Sequence, residues 1–315
     1  MEVPGGGARR ALRSLGGAGP PPAPDPAGPS GPGVRLAMQL TPRYEGTPVL
    51  RFDPPLADPT VPLLRQRRRL VATLAAFDAD QWAAPSRCAG WASRDVVSHL
   101  VSVNAFWTAS ITAGRSGSPT RFLVGFDPAV TPAQMVAGAP AVPDEELLAG
   151  LAGTTESLAQ SLEGLDAAGW AQLAEAPPGH LAISEVAAHA LWDGWIHERD
   201  ICLPLGIDVP TEADEVDAAL RYAVSIGPAL VAASGADRTG AFRVRAEDPA
   251  VDLVVQVGSD VVVRAATADD GDLPEVRGPA VAVVESFSLR STPPELAPGD
   301  RWMVDALATA FDQAG

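Results

Sequence analysis

The stretch Ser184-Glu185-Val186-Ala187-Ala188-His189-Ala190-Leu191-Trp192-Asp193-Gly194-Trp195-Ile196-His197-Glu198-Arg199-Asp200-Ile201-Cys202-Leu203 decides how this chain is read. It has the length of a helix and is stopped by Pro204 and Gly206. Asp193 and His197 lie four residues apart, so about 40° of helical rotation separates them and both project from one side. Val186, Ala190, Trp192, Trp195 and Ile196 surround them with the composition of a mostly buried helix. An interior carboxylate and imidazole need a partner, because an unpaired buried charge is expensive. A cation shared with a neighbouring helix meets that need, as in metal-binding bundles.

A second helix supplies the third donor. It begins after Trp91-Ala92, with Ser93 expected as N-cap and Asp95 in the first turn, where a carboxylate suits the helix dipole. Val96, Leu100, Val103 and Trp107 recur at spacings of three and four, which marks one buried stripe. His99 belongs to that stripe and is expected to point into the bundle. His99, Asp193 and His197 then form a set of N and O ligands that suits zinc or a similar divalent ion and leaves a coordination position open. The alternative on spacing alone is a hydrogen-bonded core histidine beside an Asp193–His197 pair, or a pair with Arg199. His189, one turn before Asp193, could add a fourth ligand or an orienting bond. His180, in the Pro177-Pro178-Gly179 loop, is expected to face solvent.

Further helices are expected over about Thr60–Phe77, Asp144–Leu165 and Glu212–Ala233, with a long Gly-, Pro- and Thr-rich loop from about Gly114 to Pro143. Four helices before position 208 suggest a bundle. After Ala233 the pattern changes to short β-branched segments, Ala241–Ala246, Val251–Val257 and Asp260–Ala265, with a tight turn at Gly258-Ser259. Two more helical stretches follow, about Pro279–Leu289 and Arg301–Ala314. The division expected is a disordered Gly-, Pro- and Ala-rich segment 1–45, a helical unit 46–207 and a small α+β unit 208–315. Met38 closes the first segment, so the sequence offers two translation starts, Met1 and Met38.

The chain has 315 residues, a net charge of −16 and no lysine. Such a surface repels phosphate backbones, so no nucleic-acid partner is expected. The run Arg65, Arg67, Arg68 and Arg69 reads as one solvated helical turn. The apolar runs are shorter than a spanning helix needs, so no membrane span is expected. Arg9 and Arg10 precede no apolar segment, and the two cysteines, Cys88 and Cys202, form no CxxC pair. Both features point to the cytoplasm. Cys88 reads as part of a structural turn and Cys202 as a packed small residue.

Cys88-Ala89-Gly90-Trp91-Ala92-Ser93-Arg94-Asp95-Val96-Val97-Ser98-His99-Leu100 resembles the first signature of the mycothiol-dependent maleylpyruvate isomerase family. That signature is a Cys-x-Gly-Trp turn, then Arg-Asp-Val, then a His-Leu pair. Leu74, Asp78, Trp82 and Pro85 fall where its members carry a leucine-aspartate turn and a tryptophan. Trp192 to Ile201 resembles the second motif, an acidic residue four before a histidine, closed by an aspartate-aliphatic pair. The resemblance covers about residues 60–205 and is weaker beyond. It implies a mainly α fold with an α+β C-terminal part: a DinB-like four-helix bundle followed by a small sterol-carrier-like domain. The implied metal ligands are His99, Asp193 and His197, with one departure, since the family carries glutamate where this chain has Asp193.

The resemblance also implies a zinc-held thiol, mycothiol in the family, which adds to an activated double bond of a small acidic substrate and leaves after rotation. An acidic substrate wants an arginine, and Arg94, Arg115, Arg121 and Arg199 are nearest to the motifs, although helix-end ion pairs account for each. The same fold hosts many activities. A thiol-dependent isomerase or transferase therefore stands beside two alternatives, a ligand- or partner-binding protein with a structural metal and a metal-dependent hydrolase.

Overall fold

The computed structural model describes residues 41–311, apart from positions 57 and 129. The Met38 start and positions 1–40 of the segment expected to be disordered lie outside the described residues. Residues 41–45, expected in that segment, are part of the fold. The Arg43 guanidinium donates to the Ala232 carbonyl at 2.9 Å, and the Tyr44 hydroxyl donates to Glu175 at 2.6 Å. Gly179, at φ 129°, lets this segment cross closely, since a Cβ there would lie 2.0 Å from the Arg43 carbonyl oxygen.

The chain opens with β1 (Leu50–Asp53) and α1 (Thr60–Leu74), then the short α2 (Ala79–Ala83) and the long α3 (Ser93–Arg115). After α4 (Thr131–Gly138), which interrupts the expected loop, come α5 (Asp144–Leu162) and α6 (Ala167–Trp170). A hairpin of β2 (Leu173–Ala176) and β3 (Gly179–Ala182) then feeds directly into α7 (Ile183–Cys202). The helical part is α1, α3, α5 and α7, with α3 packed on α5 and α7, and α1 on the same two. Three acidic residues open α5, where they complement the helix dipole. Ser93 is not the cap of α3. Ala92 takes that place, and Asp95 accepts from its amide at 2.9 Å. His180 is buried on β3 rather than solvent-facing, with Nε2 2.8 Å from the Thr120 carbonyl and Nδ1 3.2 Å from that of Tyr44.

Beyond α7 come α8 (Ala213–Ala233), β4 (Gly240–Glu247), β5 (Val251–Val257), β6 (Val261–Ala265), β7 (Glu275–Pro279), α9 (Ala280–Phe287) and α10 (Ala306–Ala310). The mixed five-stranded sheet runs β1-β6-β5-β4-β7, with β1 parallel to β6 and β4 parallel to β7. Strand β1, expected within the helical unit, thus pairs with the C-terminal sheet. One apolar core joins the two parts, from Trp107 and Trp195 through Tyr222 to Phe242 and Val255. By length and mean hydropathy α3 and α8 are long and apolar enough to cross a membrane; here α8 is mostly buried, and α3 packs on α5 and α7 with much of its surface exposed.

All of α7 is buried except Trp192 and Asp193, which are partly so. It therefore meets α1, α3, α8 and the hairpin on different sides. The expected solvated arginine turn is solvated only in part: Arg68 is more than half exposed, while Arg67 and Arg69 turn inward and tie α1 to its neighbours. Arg69 is bonded to Glu198 of α7 and Glu215 of α8, and Arg68 to Glu156 of α5. Arg67 is completely buried. It lies flat on the backbone of α7 at Gly194, where a Cβ would sit 0.9 Å from its Nη1. Gly194→Ala is therefore expected to destabilise the protein by about 3 kcal/mol or more in urea unfolding. The same change on an exposed helix would gain up to about 1 kcal/mol. An unchanged or raised midpoint would show that Arg67 is not seated there.

Candidate metal centre

Helical spacing brings His99 of α3 against Asp193 and His197 of α7, so the three expected ligands do converge. His99 Nε2 and His197 Nε2 each lie 3.5 Å from Asp193 Oδ1, and the histidine rings meet edge to face at 5.0 Å between centroids. Each of the three side chains is 11–13% exposed, so the cluster sits just beneath the surface. Burial opposes charge on Asp193, but the neighbouring His99 and His197 imidazoles and the Arg67 guanidinium hold it well below the usual carboxylate range. Burial lowers the pKa of His99 despite the same carboxylate.

The arrangement fits a divalent ion. Donors spaced 3.5 Å apart are longer than good hydrogen bonds. The edge of a tetrahedron with zinc–nitrogen bonds of about 2.05 Å is about 3.4 Å. Asp193 Oδ2 is buried without a hydrogen-bond partner among the described residues, as are Asn104 Nδ2 and Arg87 Nη2 nearby, and of these it is the one anionic acceptor. With three donors from the protein, a fourth position stays open.

His197 is oriented from behind. Its Nδ1 lies 3.0 Å from Asp200 Oδ2, which directs Nε2 toward Asp193. Burial disfavours the imidazolium, yet the bonds to Asp200 and Cys88 raise its pKa to about 10. A metal ion therefore has to displace a proton from His197. Asp200 is in turn gripped by Arg87 at 3.0 Å and by Arg290 at 2.8 and 2.7 Å. Arg290 lies just beyond α9, so the C-terminal part reaches the site. Cys88 Sγ sits 3.2 Å from Asp200, 3.7 Å from His197 Nδ1 and 3.5 Å from Arg290 Nη2. Cys88 is thus more than a turn residue. Cys88, His197 and Asp200 also converge closely enough for a cation, but two guanidiniums already hold that carboxylate, so this side serves to orient His197.

His189 does not join the ligand atoms. Its Nδ1 is bonded to the Tyr222 hydroxyl, and its ring packs on Trp107 and Trp192. Asp95 is occupied with Ala92, and Cys202 is buried, its thiol pushed up to about 12 by burial. Arg94, Arg115, Arg121 and Arg199 bond to Val142, Ser161, Glu45 and Glu285 instead of the centre. The arginines that matter, Arg67, Arg87 and Arg290, lie outside the two histidine-bearing helices. Only Asp200 carried a local signal, three residues after His197.

Two histidines and a carboxylate meet between helices, backed by an arginine from just beyond α9, in an arrangement that could hold a metal ion. Residues 63–202 match the family model described as Mycothiol maleylpyruvate isomerase N-terminal domain. The fold is similar to the crystal structure of the mycothiol-dependent maleylpyruvate isomerase, with TM-score 0.50 and 14% identity, covering 74% of this chain and 88% of that one. A histidine-to-alanine mutant of that enzyme gives TM-score 0.52 and 15% identity over the same shares. At such identities the likeness shows the fold alone. No curated protein matches the sequence.

Burial lowers the pKa of His189 to about 4, from an ordinary 6.5. Between those values the unfolded chain binds a proton that the folded chain does not. Stability from this group is full above about pH 6.5 and falls toward pH 4, by up to about 1.4 kcal/mol per pH unit. Natural protein unfolded in urea between pH 4.5 and 6.5 is expected to show that slope, and His189→Gln to lose it. Equal slopes would place His189 in water.

Proposed function

We propose that this protein is a metal-dependent enzyme, a thiol-dependent isomerase or transferase acting on a small electrophilic substrate. The observation that carries the reading is the three-ligand set His99, Asp193 and His197, with an open position and an orienting carboxylate behind His197. When bound, a divalent ion such as zinc would stabilise a thiolate well below the ordinary thiol pKa of about 8.5, supplying the nucleophile such reactions need. The chain's own part is to position and to balance charge. Asp200 keeps His197 Nε2 turned to the centre, while Arg290 and Arg87 keep Asp200 ionised and fixed. Arg290, about one-fifth exposed, also brings positive charge to the rim, where an acidic substrate approaches. The domain family and fold support the same reading. Maleylpyruvate with mycothiol, named for the similar enzyme, is the first substrate pair to assay, and the cytoplasm is the compartment we propose.

Purified natural protein is expected to carry about one zinc or similar ion per chain, to turn over only with added thiol, and to lose both properties in His197→Ala. Asp200→Asn is expected to weaken metal binding roughly 10–100-fold, because it loosens the orienting bond. Because His197 must lose a proton, metal uptake at pH 7 is expected to release about one proton per ion and to tighten as pH rises, which calorimetry in two buffers reads directly. Turnover without thiol would favour a hydrolase. A metal whose removal collapses the fold, with no turnover under any condition, would make it structural.

A further inference from the structure

Arg67 has a burial and a set of partners that packing does not explain. Its side chain is wholly buried. Among the described residues its three hydrogen bonds all go to neutral acceptors: Gln66 Oε1 at 2.7 Å, Asn104 Oδ1 at 3.1 Å and the Ala190 carbonyl at 2.8 Å. Gly194 is bare so that the guanidinium can lie on α7, and Gln66 bonds the Gly194 carbonyl beside it. These groups hold the guanidinium in place without neutralising it. Among the described residues, its single ion pair is with Asp193, whose Oδ2 lies 4.0 Å from Nη2. That oxygen accepts no hydrogen bond. An arginine does not shed its proton in a protein. A buried cation is costly where an apolar side chain of similar volume would serve packing as well or better. The charge itself therefore has a use.

We infer that Arg67 is a specificity-determining residue of the candidate metal centre: it offsets the charge of Asp193 so that a bound divalent ion keeps its positive charge and selects an anionic exogenous ligand. With two neutral imidazoles and a carboxylate, the ligands alone would leave such a centre with one net positive charge. The guanidinium behind Asp193 restores the second, from a wholly buried position where solvent screens it weakly. The arrangement weakens the hold on the cation and strengthens the hold on an anion at the open position. A role confined to packing would instead weaken both together. This inference rests on the metal centre proposed above and identifies the chemical class of its fourth ligand, an anion such as a thiolate.

The test uses full-length protein freed of metal and titrated with Co2+, followed by its visible absorption, and then with azide as the anionic probe. Arg67→Met removes the charge at similar length. Asn104→Asp leaves Arg67 in place and bonded but sets a carboxylate against it, so it decides the matter if Arg67→Met fails to fold. Both variants are expected to bind Co2+ more tightly than the natural protein and azide about tenfold or more weakly, with Arg67→Lys, which keeps the charge, staying close to natural azide affinity. Azide binding unchanged in the folded variants, or Co2+ and azide binding lost in parallel, would overturn the role of Arg67 and leave the metal centre standing. A natural protein that takes up no Co2+ would overturn both.

Discussion

A buried helix that carries charge constrains everything around it. Nearly every side of α7 is covered, yet it bears Glu185, His189, Asp193, His197, Glu198, Arg199 and Asp200. Each of these needs a partner within reach, because water cannot supply one. The neighbours are arranged accordingly. Helix α1 sends Arg69 to Glu198 and Arg67 toward Asp193, α8 sends Tyr222 to His189, and the C-terminal part sends Arg290 to Asp200 and Glu285 to Arg199. Removing the charges of α7 would leave these partners without counterparts, so the polar core and the site are one construction.

That construction explains why the helical and sheet parts share a core. The site is assembled on the helical side, but the residues that fix its outer layer come from the turn before α3 and from just past α9. Strand β1 adds a second tie, running from the N-terminal end into the sheet beside β6. Motion of the C-terminal part against the bundle would therefore be felt at Asp200, and through it at the orientation of His197.

The convergence of the three candidate ligands was legible because their placement obeys local rules. Asp193 and His197 share a helix face by spacing, and His99 falls on an apolar stripe that could only point inward. The long helices and the Val-rich strands were legible for the same reason. What escaped depends on contacts across the chain. Arg67 looked like one member of a solvated basic turn, and nothing within its own helix shows that Gly194, more than a hundred residues away, makes room for it. His180 read as a loop residue because the hairpin is short and Pro177-Pro178 obscures its alternation. Leu50–Asp53 is a strand only because Val261–Arg264 lies beside it. Arg290 is set by a backbone turn that begins at Leu289, with φ 60°, and no motif announces it.

A divalent ion has two possible seats beside His197: the Nε2 side, with His99 and Asp193, where we propose it binds, and the Nδ1 side, with Cys88 and Asp200. X-ray absorption at the zinc edge of the loaded protein, without added thiol, separates the two directly. The expected spectrum has nitrogen and oxygen scatterers at about 2.0–2.1 Å, with the multiple scattering of two imidazoles and no sulfur. A sulfur shell near 2.3 Å, or a single imidazole, would place the ion at Cys88 and contradict the account.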